Sequence, residues 1–182
     1  MNWISTIEPA PWRIAGYDLG PLLFGHCTLF ELFRDGDKIT ALDLWRYLNI
    51  ASRSHKEARE WLTRDINATF SIRRWAFLKT VGQMPRFAEV LTAWNAYLEE
   101  NTSTPEVLIS VEGTETRGAP YLQTLFTIAA TRLNYDPQTI CDAQFGQLIW
   151  SVLAFNESQG GIRIIDDNLS QALENLKCRN SS

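Results

Sequence analysis

Two histidines, His26 and His55, and three cysteines, Cys27, Cys141 and Cys178, are the side chains with the widest chemical scope in this sequence. His26 stands next to Cys27, and an imidazole beside a thiol is the start of a nucleophilic pair, because the base takes the proton that the sulfur must lose. A zinc site needs more: several His, Cys or carboxylate ligands at short spacings. The three cysteines are far apart and none stands in a CxxC, so neither a metal site nor a disulfide framework is expected. Distant residues could still assemble around Cys27. Its apolar helix context, like that of Cys141, reads as a small core residue, with His26 packed and His55 on the surface.

The carboxylate pairs Glu99-Glu100 and Asp166-Asp167 have the type needed for general acid–base work, which requires burial to raise one of the two pKa values. Acids at a helix start are accounted for by the macrodipole, which favours negative charge there. The glycines, Gly20, Gly25, Gly113, Gly118, Gly160 and Gly161 among them, form neither GxGxxG nor a phosphate loop. The expectation is no catalytic residue, no metal and no cofactor.

The elements that would position these residues are mostly helical. Leu22, Leu23, Cys27, Phe30 and Phe33 recur at helical spacing after Pro21. Thr40 and Asp43 have the spacing of a capping box for a helix facing inward through Leu44, Trp45 and Leu48. Ser54 is an N-cap for a short polar helix. "ATFSIRRWAFLKTVGQ" reads as a further helix, although Thr69 to Ile72 has strand character. Phe87, Val90, Leu91, Trp94 and Leu98 form one stripe behind Pro85. The spacing then predicts a helix pair, Pro120 to Leu133 and Asp142 to Asn156, with Asp136-Pro137 as an N-cap and first-turn pair between them. Gly160-Gly161 stops the second. "IRII" is too short to stand alone as a strand, and "DDNLSQALENLK" has the pattern of a last amphipathic helix. The expected fold is mainly α: an irregular multi-helix bundle with an extended N-terminal arm and at most one or two short strands. The expected division is an arm over 1–19, a helical lobe over 20–100, a loop over 101–118 and a second helical lobe over 119–182, with the two lobes forming one domain as the alternative.

The formal net charge is -4 over 182 residues, with basic residues scattered except for a locally positive stretch from Arg53 to Lys79. A nucleic-acid binder needs a basic face, so nucleic acid is not the expected partner, and a solvated helix face accounts for that stretch. No apolar run reaches membrane-spanning length and the N-terminus has no signal-peptide pattern, which together with the odd cysteines points to the cytoplasm.

Seven tryptophans remain to be placed. Those on helical stripes are accounted for by core packing. Trp3 and Trp12 lie outside any helix, with Pro9, Pro11 and Gly16 around them, and "EVLIS" has the β-branched, uncharged centre of an edge strand. A regular element is denied to these apolar residues, so Trp3, Ile4, Trp12 and Ile14, with Val107, Leu108 and Ile109, are the expected contacts to a partner or a second copy. Folding back of both segments onto the helical body is the alternative.

"YDLGPLLFGHCTLFELF", and "RGAPYLQTLFTIAATRLNYDPQTICDAQFGQLIWSVLAFNESQGGIRIIDD" after the middle helices, together resemble a set of phage and prophage proteins found among tail genes, similar to tail-assembly-chaperone-like proteins. The shared order is an apolar LGH-like helix, "GAP" opening a helix, a short capped helix leading into a longer one, and an apolar stretch before acidic residues. Phe24-Gly25-His26 stands here in place of a plain Leu-Gly-His. The resemblance covers about half of the chain. It implies a mostly helical, non-enzymatic protein of tail or virion assembly, chaperone-like or scaffolding, whose partner is a tail tape-measure or other virion protein, and which is cytoplasmic in the host cell or virion-associated. A small phage-encoded inhibitor or adaptor that binds a host protein is the alternative, and an enzyme built on His26 and Cys27 is a third.

Overall fold

In the computed structural model, residues 11–33, 38–65, 71–104, 107–109, 120–160 and 162–165 are described. Strands β1 (Trp12–Ile14) and β2 (Tyr17–Leu19) lead into helices α1 (Phe24–Glu31), α2 (Ala41–Ala51), α3 (His55–Asp65), α4 (Ile72–Val81) and α5 (Arg86–Thr102). Strand β3 (Val107–Ile109) follows, then α6 (Tyr121–Thr131), α7 (Pro137–Asp142), α8 (Phe145–Ser158) and β4 (Ile162–Ile164). The protein is mainly helical, as its stripes predict.

Local chemistry sets several of the helix starts. Thr40 and Asp43 form the reciprocal capping box of α2, the Thr hydroxyl accepting from the Asp43 amide and the carboxylate from the Thr40 amide. Ser54 and Glu57 do the same for α3. The Asp136 carboxylate accepts from the amides of Gln138 and Thr139 at the start of α7, with Pro137 supplying a helical φ where no donor is needed. Gly160, at φ +75, takes the left-handed position that ends α8.

Two helices begin later than their sequence patterns predict, for one reason. Leu23 and Gln144 form an antiparallel bridge. The Phe24 amide donates to the Ala143 carbonyl at 2.9 Å and the Phe145 amide to the Leu22 carbonyl at 2.7 Å. Leu22 and Leu23 are therefore extended instead of helical, Pro21 lies outside α1, and the stretch predicted as helix from Asp142 breaks at Ala143 and Gln144 before α8 opens. The Leu22 amide is satisfied from a third place, by Asn101 Oδ1 of α5 at 2.9 Å.

The segment expected as an extended arm forms, over its described part, a hairpin. β1 and β2 pair antiparallel with Ile14 opposite Tyr17, which leaves Ala15 and Gly16 as a two-residue turn at φ 50 and φ 85. The hairpin rests on the helices. Ile14 and Leu19 are core residues, and the Trp12 indole donates to Glu100 of α5 at 2.8 Å. "IRII" finds the company it needs in β3, since β3 and β4 pair antiparallel from Val107–Ile164 to Ile109–Ile162.

A single cluster of buried side chains runs through Phe24, Trp94, Leu125 and Leu148, and so through both expected lobes. Its centre is aromatic. Trp94 stacks on Tyr47 at 5.9 Å, meets Phe30 edge-on at 5.7 Å and lies 5.3 Å from Tyr97, which meets Trp12 edge-on at 6.1 Å. Such pairs each add about 0.5–1.5 kcal/mol to the burial of their area. α6 packs on α8, as the stripes of the helix pair predict.

Candidate functional site

The residues with chemical scope meet where α1, α3 and α7 converge. His26 is the third residue of α1 and is 1% exposed. Its Nδ1 accepts from the Leu23 amide at 3.3 Å, so the ring proton sits on Nε2, which donates to the Arg53 carbonyl at 2.9 Å. Burial holds the imidazole neutral and lowers its pKa to about 4. With both nitrogens engaged, the ring fastens the start of α1 to the end of α2 and has no lone pair left to take a proton from Cys27. Burial pushes the Cys27 thiol up to about 12, the opposite of what a nucleophilic sulfur needs.

His55, expected at the surface, is buried. Gly25 makes the space. A Cβ at Gly25 would stand 2.5 Å from the His55 ring and 2.8 Å from the Cys141 carbonyl, so only glycine lets α1 approach α3 and α7 this closely. His55 Nδ1 lies 4.0 Å from Asp142 Oδ1, and the Asp142 carboxylate also accepts from Gln138 at 2.6 Å. Burial lowers the His55 pKa and Asp142 opposes that shift. Cys141 is half-buried, its thiol pKa raised by burial. Among the described residues no three His, Cys, Asp or Glu side chains cluster as a metal would require. Glu99 and Glu100 share the last turns of α5, where Glu100 accepts from Trp12; Asp166, Asp167 and Cys178 lie outside the described residues.

The expected contact residues fall in three groups. Ile14 is 2% exposed within the chain's own core, which removes it as a partner contact: the hairpin turn folds β1 back over the helices. Trp12 is half-buried against Tyr97 and Glu100. Val107, Leu108 and Ile109 form β3 and spend one backbone edge on β4. Trp3 and Ile4 lie outside the described residues.

Among the described residues, large apolar side chains are uncovered at Leu32 and Tyr121 and, in closer succession, on and just beyond α4. Ile72 is 74% exposed and Trp75 51%, with Met84 at 74% just beyond the helix. Phe77 and Val81 point the other way, into the core. Trp75 is thus not the core residue its helix suggested. A signal for this exists in "IRRWAFLKTV": Ile72 and Trp75 lie on one side of a ten-residue helix, Phe77 and Val81 on the other, and a helix at the edge of a bundle has one core to face. The charged residues of α4 are all basic, Arg73, Arg74 and Lys79, and Lys79 Nζ lies 4.9 Å above the Trp75 ring.

Behind this face lies a cleft of about 690 Å³ between α4, the β1–β2 turn and the start of α5. Arg13, Arg73 and Arg86 line it, with Ala15, Ala76, Phe77 and Val81 as its apolar surface. A second cleft of about 800 Å³, lined by Asn49, Arg53, Glu60 and Trp61, shares Gly16, Tyr17 and Arg73 with the first. Among the described residues no helix is long and apolar enough to cross a membrane. No protein-family model, curated protein or solved structure matches the chain.

Proposed function

We propose that this protein is a non-enzymatic binding protein whose contact face is the outer side of α4, and that it serves the assembly of a phage-derived tail or virion by holding an apolar segment of a partner such as a tape-measure protein. The exposure of Ile72, Trp75 and Met84 supports the binding role. Three large apolar side chains left in water beside a well-packed core are a standing cost, and aromatic residues and methionine are enriched where proteins meet. The role in tail assembly rests on the resemblance of Tyr17–Phe33 and Arg117–Asp167 to tail-gene proteins. The locked His26 and the unactivated Cys27 count against a nucleophilic enzyme built on that pair. The same face would suit an inhibitor or adaptor of a host protein.

Co-expression with the products of the genes flanking its own tests the proposal. A stable complex with a tape-measure or other virion protein, lost in the Ile72→Ser/Trp75→Ala variant, is the expected result. Exposed substitutions of this kind leave stability within about 0.5 kcal/mol, so the variant stays folded. A complex that survives both substitutions overturns the assignment of the face. A complex formed with a host protein and with no virion protein overturns the assembly role in favour of an inhibitor or adaptor.

A further inference from the structure

The overall charge is negative, yet among the described residues the cleft beside α4 is lined by three arginines and no carboxylate. Arg73 makes no ion pair among the described residues. Among the described residues Arg13 and Arg86 pair only with Asp18 at 3.4 Å and Glu89 at 2.9 Å, and all four of these side chains stand mostly in water. Exposed pairs of this kind are weak and exchange readily for a better acceptor. A guanidinium is a planar fork matched to a carboxylate, and it is less strongly hydrated than an ammonium group, so three around one cleft form a surface preset for anionic groups. Between them Ala15 and Ala76 give the cleft an apolar part at the surface, above the buried Phe77 and Val81, with Tyr17 and Thr80 beside it.

The cleft also continues onto the exposed face. Ala76 is one position along the chain from Trp75 and four from Ile72, so on the helix surface it lies between the Ile72 side and the Arg73 side. A chain crossing α4 meets apolar surface first and arginines next.

We infer that this cleft docks an extended protein segment in which apolar residues alternate with Asp or Glu. The inference rests on the reading of α4 as a protein-binding face and adds the chemistry of the partner. The apolar side chains of the segment lie over Ala76 and Ala15, and its carboxylates reach Arg13, Arg73 and Arg86. A nucleic acid would use the same arginines but would leave the apolar floor unmatched, and the chain as a whole repels it.

The test uses the full chain and a short fluorescein-labelled peptide of alternating Asp and Leu. Its Lys–Leu counterpart and a single-stranded oligothymidine of the same length serve as competitors for partner class, with fluorescence anisotropy as the readout. The acidic peptide binds and the lysine peptide does not. Binding weakens as salt shortens the screening length from about 10 Å at 0.1 M to about 3 Å at 1 M. The Arg13→Ala/Arg73→Ala/Arg86→Ala variant binds about tenfold or more weakly at unchanged melting temperature. Ala76→Glu, which puts a like charge on an exposed part of the floor, abolishes binding with all three arginines in place. Absence of acidic-peptide binding, or binding indifferent to these substitutions, overturns the inference, and so does tighter binding of oligothymidine than of the peptide. The co-expression complex is read separately: if Ile72→Ser/Trp75→Ala destroys it while the peptide fails to bind, the face stands and the acidic partner falls.

Discussion

His26 of α1 reaches across 27 positions of sequence to donate its Nε2 proton to the carbonyl oxygen of Arg53, at 2.9 Å. A second proton would leave that bond in place and break the other one, in which Nδ1 accepts from the Leu23 amide. In the folded protein His26 takes a second proton only near pH 4, whereas its ordinary value is 6.5. Between these values the unfolded chain binds more protons than the folded one. The contribution of His26 is therefore fully present above about pH 6.5 and is lost as the pH falls toward 4. The gap corresponds to about 3 kcal/mol. His55, lowered by burial in the same sense, steepens the loss, and Asp142 moderates it. Urea unfolding from pH 7.5 to 4 should show this fall. His26→Gln keeps a donor toward Arg53 but cannot titrate, so its profile should be flatter, from a starting stability about 1–3 kcal/mol lower because the Leu23 amide loses its acceptor.

Gly25→Ala should destabilise the fold by about 1–3 kcal/mol, the usual cost of forcing a methyl into a packed contact. The added carbon meets the His55 ring and the Cys141 carbonyl together. His55→Ala removes the first obstacle and leaves the second. In thermal melts the double variant should therefore lose less than the sum of the two single losses. Strict additivity would show that the ring does not limit the approach of α1 to α3.

The β1–β2 turn carries a different signature. Ala15 holds φ 50, a left-handed conformation that costs an L-residue about 1–2 kcal/mol, while Asn and Gly occupy it more readily. Ala15→Asn should raise stability by about 0.5–1 kcal/mol. Calorimetry checks it, and a lowered melting temperature would count against the turn geometry.

Asn101 should be the costliest polar residue of α5 to remove. Its Oδ1 satisfies the Leu22 amide and its Nδ2 donates to the Tyr97 carbonyl, all in the interior. Asn101→Ala strands a buried donor, at about 1–3 kcal/mol. Faster hydrogen exchange at the Leu22 amide is the specific readout.

What could be read from the sequence was local. Thr40 with Asp43, Asp136 with Pro137 and Gly160 announce helix ends because the atoms that satisfy each other are a few residues apart. The stripes of α5, α6 and α8 announce their inner faces. What could not be read depends on distant pairs. Nothing near Leu22 says that its amide is met by Asn101, and nothing near His55 says that Gly25 clears room for its ring. "IRII" needed Val107–Ile109 to become a strand, and Ile14 needed the hairpin to reach the core. At the candidate site Trp75 was misplaced among core residues because its helix has apolar residues on two sides, and a stripe does not say which side meets water. The arginines of the cleft come from β1, α4 and α5, and only the folding of the hairpin onto the helices brings them together.

The bridge between Leu23 and Gln144 joins residues roughly 120 positions apart. A ribosome adds about 5–20 residues each second. For about ten seconds after Leu23 emerges, the chain holds no strand for it to pair with, and the Phe145 ring that packs near Phe24 does not yet exist. The start of α1, whose Phe24 ring meets Phe126 and Phe145 in the finished fold, must wait in the cell with that side uncovered until the last third arrives. Until then, this protein that we propose to hold apolar segments for others is itself a client for whatever holds nascent chains.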